Sequence, residues 1–336
     1  MSSIDCLCVG IIVADHLCEP IGHMPVAGEL IMSRRLSLAI GGNASNVSTD
    51  LAKLGVNVSL VGRVGTDIFG VFVRQALTDG GVDTTHLIST PGYDTAGTLI
   101  VNVQGEDRRF IHSFGATAAF DGSEVTDEML RSCRVFYVGG FLLLKNLPSA
   151  RIARWFQVAR DAGIPTVLDI VIPEPADYHE HLAKVLPWTD VFLPNDDEAR
   201  LLTGLTDPLA QAERFHDLGV GTSIITCGGG GAVMICADGR FRSGRFDVPF
   251  VDGTGSGDAF AAGYIFGLLT DQPPTRCLEI GSALGASAVR TAGATQGVFR
   301  RDELDEFLSQ NRLGIEPLGV ERIPGTQPKS RDFELR

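Results

Sequence analysis

The stretch Phe250–Phe260, FVDGTGSGDAF, decides how this chain is read. Glycines stand at alternate positions, 253, 255 and 257, and Asp258 follows the last of them. A glycine-rich turn that opens a helix presents backbone N–H groups to an anion, most often a phosphate. A carboxylate in that place repels the anion, so its presence needs a chemical reason. Immediately downstream, AFAAGYIFGLL is apolar nearly all round, which predicts a helix buried on every side. The turn is thus expected to be anchored rigidly in the core.

Two nucleotide-loop readings fit these residues poorly. The dinucleotide fingerprint G-x-G-x-x-G follows an early strand and carries an acidic residue roughly 20 positions further on. Here the glycines come late in the chain, and Asp258 would face the pyrophosphate. A P-loop needs Lys and then Ser or Thr after its glycines, and none follows. A purely structural turn also accounts for the pattern, since the helix macrodipole favours an aspartate in a first turn. A third reading uses every residue. The N–H groups of Gly255, Ser256 and Gly257 form an anion hole for charge developing on a transferring phosphoryl group. Asp258 then faces the acceptor hydroxyl and takes its proton as general base. Such a turn serves phosphoryl transfer to an alcohol.

The rest of the chain supplies a scaffold for it. Apolar runs of strand length recur at Leu7–Ile12, Val58–Val61, Val135–Val138, Thr166–Ile170, Val191–Leu193 and Ser223–Thr226. Amphipathic helical patterns separate many of them, and three of these stop at Gly55, Gly80–Gly81 and Gly163. Strands alternating with helices predict a mostly parallel sheet covered on both faces. Residues 15–40 and 94–114 break the rhythm with short strands and turns, including a hairpin around Gly105. They are expected to form a small antiparallel lid inserted into a body of residues 1–14, 41–93 and 115–312. The tail 313–336 reads as an arm or loose end.

Bulk properties narrow the partners. A net charge of −13 argues against a nucleic-acid or anionic-membrane surface, which needs clustered Lys and Arg. It leaves room for a nucleotide held by backbone N–H groups and a metal ion. No apolar run reaches the roughly 18–20 residues that cross a bilayer. The N-terminus lacks the basic region of a signal peptide. Seven scattered cysteines, with no C-x-x-C pair, give no zinc or redox motif and fit a reducing cytoplasm.

DGTGSGD, residues 252–258, resembles the D-T-x-G-A-G-D signature of the ribokinase-like, or PfkB, family of carbohydrate kinases. GGNASNVSTDLAKLGVNVSLVGRVGTDIFG resembles that family's N-terminal signature through Gly41, Gly42, Asn46, Gly55 and Gly65. FLPNDDEARLLTG resembles its P-N-x-x-E motif through Pro194, Asn195 and Glu198, and ITCGGGGAVM fits its nucleotide-side loop. Four blocks in the expected order span most of the chain. The resemblance implies a three-layer α/β/α sandwich with a small β-sheet lid, ATP as donor, Mg²⁺ as cofactor, and in many members a monovalent cation such as K⁺.

By position, the resemblance makes Asp258 the base and Gly255, Ser256 and Gly257 the anion hole. It places Asp15, Gly42, Asn43 and Asn46 at the sugar, and Asn195, Thr226, Gly228 and Gly231 at the nucleotide. Glu198 would meet Mg²⁺ through water, while Asp252 and the loop Thr291–Gly297 would border the monovalent cation. The chain departs from the pattern at Gly253, at Ser256 in place of a common Ala, and at Asn43, where ribokinases tend to have Lys. The expected activity is phosphorylation of a hydroxymethyl group of a small sugar. A nucleoside kinase of the same family, with Phe110, Phe114 and Phe141 as an apolar wall, is the alternative, and a non-catalytic sugar or nucleotide sensor a further one. A homodimer through lid edges is implied by analogy alone.

Simpler roles stand beside these. Asn46 alone would be a helix cap, Asp15 a turn residue and Asp67 the cap of the next helix. Arg63 would make a surface ion pair. Arg108 and Arg109 would sit in a solvated lid turn, with His112 the one histidine near the sugar. Asp169 ends a buried strand, where α/β sheets place ligands.

Overall fold

All six apolar runs become strands. In the computed structural model, which describes residues 4–106, 109–174 and 176–319, the strands follow in chain order. They are β1 (Ile4–Gly10), β2 (Val13–Ile21), β3 (Leu36–Gly41), β4 (Val58–Gly65), β5 (Leu87–Thr90), β6 (Gly97–Val103) and β7 (Arg109–Ser113). Then come β8 (Cys133–Gly139), β9 (Thr166–Leu168), β10 (Val191–Phe192), β11 (Thr222–Thr226), β12 (Ala232–Cys236), β13 (Gly239–Ser243) and β14 (Ile315–Pro317). Among the described residues, ten of them form one sheet in the order β14-β13-β12-β11-β10-β9-β8-β1-β4-β5. Pairing is parallel from β5 through to β11 and antiparallel from β11 to β14.

The period-2 alternation of β1 divides the core. Cys6 and Cys8 enter one apolar cluster with Val47, Leu51 and Tyr264, while Leu7 and Val9 enter the other with Trp155, Phe156 and Phe215. Successive side chains of a strand point to opposite faces, so a sheet buried on both sides needs helices on both. The helices Asn43–Lys53 and Ser256–Leu269 cover the first face, and Ser149–Asp161 and Pro208–Asp217 the second. Helix Ser256–Leu269 is buried at ten of its positions and packs closely on Pro274–Ala288. A Cβ on Gly263 would stand 2.7 Å from the Ile280 carbonyl oxygen, so glycine sets how near the two backbones approach.

The second sheet, β3-β2-β6-β7, is the lid. Its hairpin of β6 and β7 is antiparallel as expected, but β2 pairs with β6 in parallel, from Ala14 opposite Gly97 to Ile21 opposite Val103. The expectation of a wholly antiparallel lid is therefore corrected: each insertion begins with the strand that leaves the body, so the two leading strands run the same way. Within the stretch from 313, expected as an arm or loose end, β14 adds an edge strand to the large sheet beside β13. Residues 320–336 lie outside the described residues.

Candidate active site

Helix Ser256–Leu269 starts at Gly255, whose φ of 74° lies in the left-handed region. A Cβ there would also stand 2.3 Å from the Ala294 carbonyl oxygen, so only glycine allows the turn to press on the loop Thr291–Gly297. The N–H groups of Gly255 and Gly257 have no hydrogen-bond partner among the described residues. The N–H of Ser256 does have one: it reaches the Gly253 carbonyl at 3.3 Å, and the Ser256 hydroxyl donates to the same oxygen at 3.0 Å. The expectation of three bare amides is corrected to two, with the third in a long, weak turn contact.

Asp258 is half-buried in the first turn of the helix. Its Oδ1 accepts from Asn43 Nδ2 at 2.9 Å, and its Oδ2 from Asn46 Nδ2 at 2.8 Å. Both amides belong to helix Asn43–Lys53, which begins after Gly42, a residue with φ of 90° and no side chain to cap the helix. Asn46 is therefore no cap, since its side chain crosses to a second helix. Burial pushes the Asp258 carboxyl up to about 6, against the two amide donors that lower it.

Asn43 Nδ2 also donates to Asp169 Oδ2 at 3.1 Å, so one amide bridges two carboxylates. Asp169 Oδ2 accepts in addition from the Tyr137 hydroxyl at 3.0 Å, and Oδ1 from its neighbour Ile170 N at 2.7 Å. Burial foremost, then the charges of Asp258 and Glu198, raise the Asp169 carboxyl well above the usual range. Asp15 lies on β2 opposite Thr98 and Ala39, with its carboxylate over Gly41, where no side chain would fit. Burial raises its pKa to about 6, offset by a Thr98 hydrogen bond and reinforced by the Asp258 charge. The turn role considered for Asp15 does not hold, because it sits within a strand.

Beside this cluster opens a cavity of about 590 Å³. Its lining includes Asn195, Thr226, Gly228, Gly231, Gly253, Ser256, Gly257 and Phe260. Gly228 and Gly231 form the tight turn between β11 and β12, and Arg245 borders it. Asn195 and Glu198 make a reciprocal cap on helix Asp196–Thr203: Asn195 Oδ1 accepts from Glu198 N at 2.8 Å, and Glu198 Oε2 from Asn195 N at 3.0 Å. Burial lifts Glu198 to about 7, with the Asp258 charge contributing after the opposing Asn195 hydrogen bond. Among the described residues no group of three acidic, His or Cys side chains forms a metal cage. A single hard carboxylate, tied to Asn195 at the wall of the cavity, suits Mg²⁺, which keeps much of its water.

Asp252 binds its own turn. Its Oδ1 accepts from Thr254 N and Oγ1 at 3.0 and 2.8 Å, and its Oδ2 from Gly293 N at 3.1 Å. The structure thus brings Asp252 and the loop Thr291–Gly297 together. Asp67 does cap its helix, through Gly70 N at 2.8 Å. Arg63 pairs with Glu124, but the pair is largely buried and not at the surface as expected. Arg109 is exposed and pairs with Glu106, while Arg108 lies outside the described residues. His112 sits across the lid from Asp15, its Nδ1 3.0 Å from the Thr98 hydroxyl.

Three participants had no signal in the sequence. Tyr137 is an apolar-run residue whose hydroxyl meets Asp169 only because β8 and β9 are neighbours. Asp50 is buried and Lys53 half-buried under the site, with 3.9 Å between carboxylate and ammonium, and Lys53 Nζ donates to the Thr295 carbonyl. Their i, i+3 spacing looks like any surface pair.

Known proteins resemble this chain over most of its length. The model of the pfkB family carbohydrate kinases matches residues 3–299. The chain is 28% identical over 309 residues to a ribokinase of Haemophilus influenzae, covering 89% of this chain and 97% of that protein. It is 29% identical over 284 residues to the aminoimidazole riboside kinase of Salmonella typhimurium (81% and 89% covered). It is 22% identical over 291 residues to a 5-dehydro-2-deoxygluconokinase of Geobacillus kaustophilus (82% and 86%). Its fold is similar to that of Arabidopsis thaliana ribokinase complexed with ribose and ATP, with a TM-score of 0.80 at 23% identity over 92% of this chain and 99% of that one. It is also similar to a putative ribokinase II of E. coli in complex with ATP and Mg²⁺, with a TM-score of 0.76 at 24% identity over 92% and 100%. With a family model matched over nearly its whole body, the chain belongs to the pfkB family of carbohydrate kinases.

Proposed function

We propose that this protein transfers the γ-phosphoryl group of ATP to a hydroxymethyl group of a small sugar. The observation that carries the reading is the position of Asp258. Its carboxylate is held by Asn43 and Asn46 beside the open amides of Gly255 and Gly257, at the N-terminus of a buried helix. A general base and an anion hole belong side by side only where a nucleophile meets an electrophile.

In this reading the cavity holds ATP, with its phosphates towards Ser256 and Gly257 and its nucleoside end along Thr226, Gly228 and Gly231. The acceptor lies under the lid between Asp15, Gly42, Asn43 and Asn46. Its hydroxyl donates to Asp258 and passes the proton to that carboxylate as the oxygen forms its bond to the γ-phosphorus. The bond to the β–γ bridging oxygen breaks, and ADP leaves. Asn43 and Asn46 keep the carboxylate aimed, since each fixes one of its oxygens. Mg²⁺, bound on the phosphates with Glu198 and Asn195 holding its water, would neutralise their charge. Lid strands exclude water from the transferring group.

A nucleoside acceptor is the second reading, favoured by Phe110. It lies on the same face of β7 as His112, two residues away, and leaves 56% of its surface open as a wall for a base. Acceptor-dependent ADP release across sugars and nucleosides tests both. In Asp258→Asn, turnover should fall by roughly a hundredfold or more while ATP affinity, read by calorimetry, stays near the unmodified value. A variant of undiminished turnover removes Asp258 as the base.

A further inference from the structure

We infer that Lys53 is a positioning residue for phosphoryl transfer. With Asp50 as its counter-charge, it clamps the loop Thr291–Gly297 against Gly255 and so ties the anion hole to the helix that aims the base. The inference rests on the kinase reading above and adds to it a residue pair beneath the cleft. Helix Asn43–Lys53 carries Asn46, Asp50 and Lys53 on one face, since positions four and seven apart fall on the same side of an α-helix. The helix packs on Ser256–Leu269. At its start, Asn43 and Asn46 fix the two oxygens of Asp258. At its end, Lys53 Nζ donates to the Thr295 carbonyl, 242 positions further along the chain. The rise from Asn46 to Lys53 is about 10 Å, so one rigid rod holds the base near one end and the loop at the other.

The loop in turn sets the anion hole. Ala294 packs on Gly255 so closely that a methyl group on Gly255 would run into its carbonyl. Gly255 carries one of the two open amides and starts the helix that bears the other, Gly257. A displacement of the loop therefore reaches the anion hole through backbone contact. Other holds on the loop come from its own surroundings, Asp252 through Gly293 N and Arg290 through the Gly297 carbonyl, each at 3.1 Å. Lys53 adds the link to the helix that holds the base.

Stability does not account for the pair. Asp50 is 0% exposed, and neither of its carboxylate oxygens has a hydrogen-bond partner among the described residues. The Lys53 ammonium stands 3.9 Å away, beyond hydrogen-bond reach, and its side chain is 18% exposed. A buried carboxylate without hydrogen bonds costs more than an ion pair at that distance offsets, and apolar side chains would suit the seam better. What the pair does supply is an ammonium fixed in place. A charged donor binds a carbonyl more firmly than a neutral one, which suits a clamp.

Base and anion hole must meet one hydroxyl and one phosphorus, where a misplacement of about 1 Å costs about a hundredfold in rate. The test compares ATP-dependent phosphorylation by the unmodified protein with that of Lys53→Met, the double variant Asp50→Leu/Lys53→Met, and Lys53→Ala, at one salt concentration. We expect Lys53→Met to lower kcat roughly thirtyfold or more, with KM for ATP and for the acceptor within about threefold. The double variant should be as slow while melting no lower than the unmodified protein, because both charges leave together. n-Propylammonium supplies the atoms that Lys53→Ala lacks and should restore its kcat about tenfold, whereas tetramethylammonium, with no N–H to donate, should not.

A double variant that turns over within about threefold of the unmodified protein overturns the inference, whether or not Lys53→Met folds. Rates that fall only in step with the melting temperature across the variants assign the pair to folding and overturn it as well. So does rescue by tetramethylammonium equal to that by n-propylammonium, since a donor is then not needed. Each of these leaves the kinase reading intact. Unmodified protein that releases no ADP with any sugar or nucleoside overturns the kinase reading, and the inference falls with it.

Discussion

At the scale of single residues, the site works through one base whose proton affinity is set by opposing forces. Burial raises Asp258 to about 6, and the amides of Asn46 and Asn43 restrain that rise by donating to the ionised form. A base must be ionised to accept a proton, so turnover should fall about tenfold per pH unit on the acid side of about 6. Asn46→Ala removes one of the two donors, so the carboxyl becomes harder to ionise and the acid limb of the rate profile should move to higher pH. A pH–rate profile of the two proteins checks this; a limb that stays in place shows that Asn46 does not set the base. Asn46 and Asp258 were each legible as site residues, whereas their pairing was not. The residues stand 212 positions apart, and their contact exists only when two helices pack.

At the scale of elements, the decisive piece is the joint between Gly255 and the loop Thr291–Gly297. The loop is held from two sides, by Asp252 through Gly293 N and by Lys53 through the Thr295 carbonyl. Gly255 then fits against Ala294 with no room for a methyl group. Gly255→Ala adds both a positive-φ penalty and a clash with backbone, so it should cost roughly 2 kcal/mol or more of stability. Urea denaturation gives the midpoint shift, and an unchanged midpoint would show that the loop yields easily. Gly257 offers a contrast. A Cβ there meets nothing within 4 Å, so the chain itself does not require glycine and only an incoming ligand would. The glycine turn was visible in the sequence as a motif, but which of its amides stays open was not. Ser256 has the same backbone donor as its neighbours, and only the turn geometry directs it to Gly253.

At the scale of the whole molecule, the acidic cluster links pH to stability in the direction opposite to activity. Burial raises Asp15 and Asp258 to about 6 and Glu198 to about 7, and it raises Asp50 and Asp169 as well. These groups bind protons more tightly folded than unfolded. Between the unfolded carboxyl values of about 4 and the folded ones, the native state therefore holds more protons, and stability drops as pH rises. His112, depressed by burial, works the other way, as one group against several. The lowered carboxyls Asp67, Asp83, Asp121 and Asp127 contribute stability that is lost only below about 4, outside this window. The melting temperature should thus be higher near pH 5.5 than near pH 7.5. Scanning calorimetry across that range tests it, and a melting temperature that climbs steadily towards neutrality would mean the cluster is not desolvated in solution.

What the sequence settled by itself is local in origin. Apolar runs of strand length, amphipathic helices stopped by glycine and an all-apolar helix after FVDGTGSGDAF are patterns of burial, and burial is what drives a chain into layers. The parallel sheet, its two covering faces and the place of the glycine turn followed from them. The tertiary structure alone decided which charges meet. Asn43 as a bridge between Asp169 and Asp258, Tyr137 beneath it, and the pair Asp50–Lys53 all depend on the packing of segments distant along the chain. The same held for the direction of β2 beside β6 and for the short strand at 315–317. Hydrogen bonds and charges act over a few ångströms, a distance that residue spacing fixes within a helix or strand but not between them.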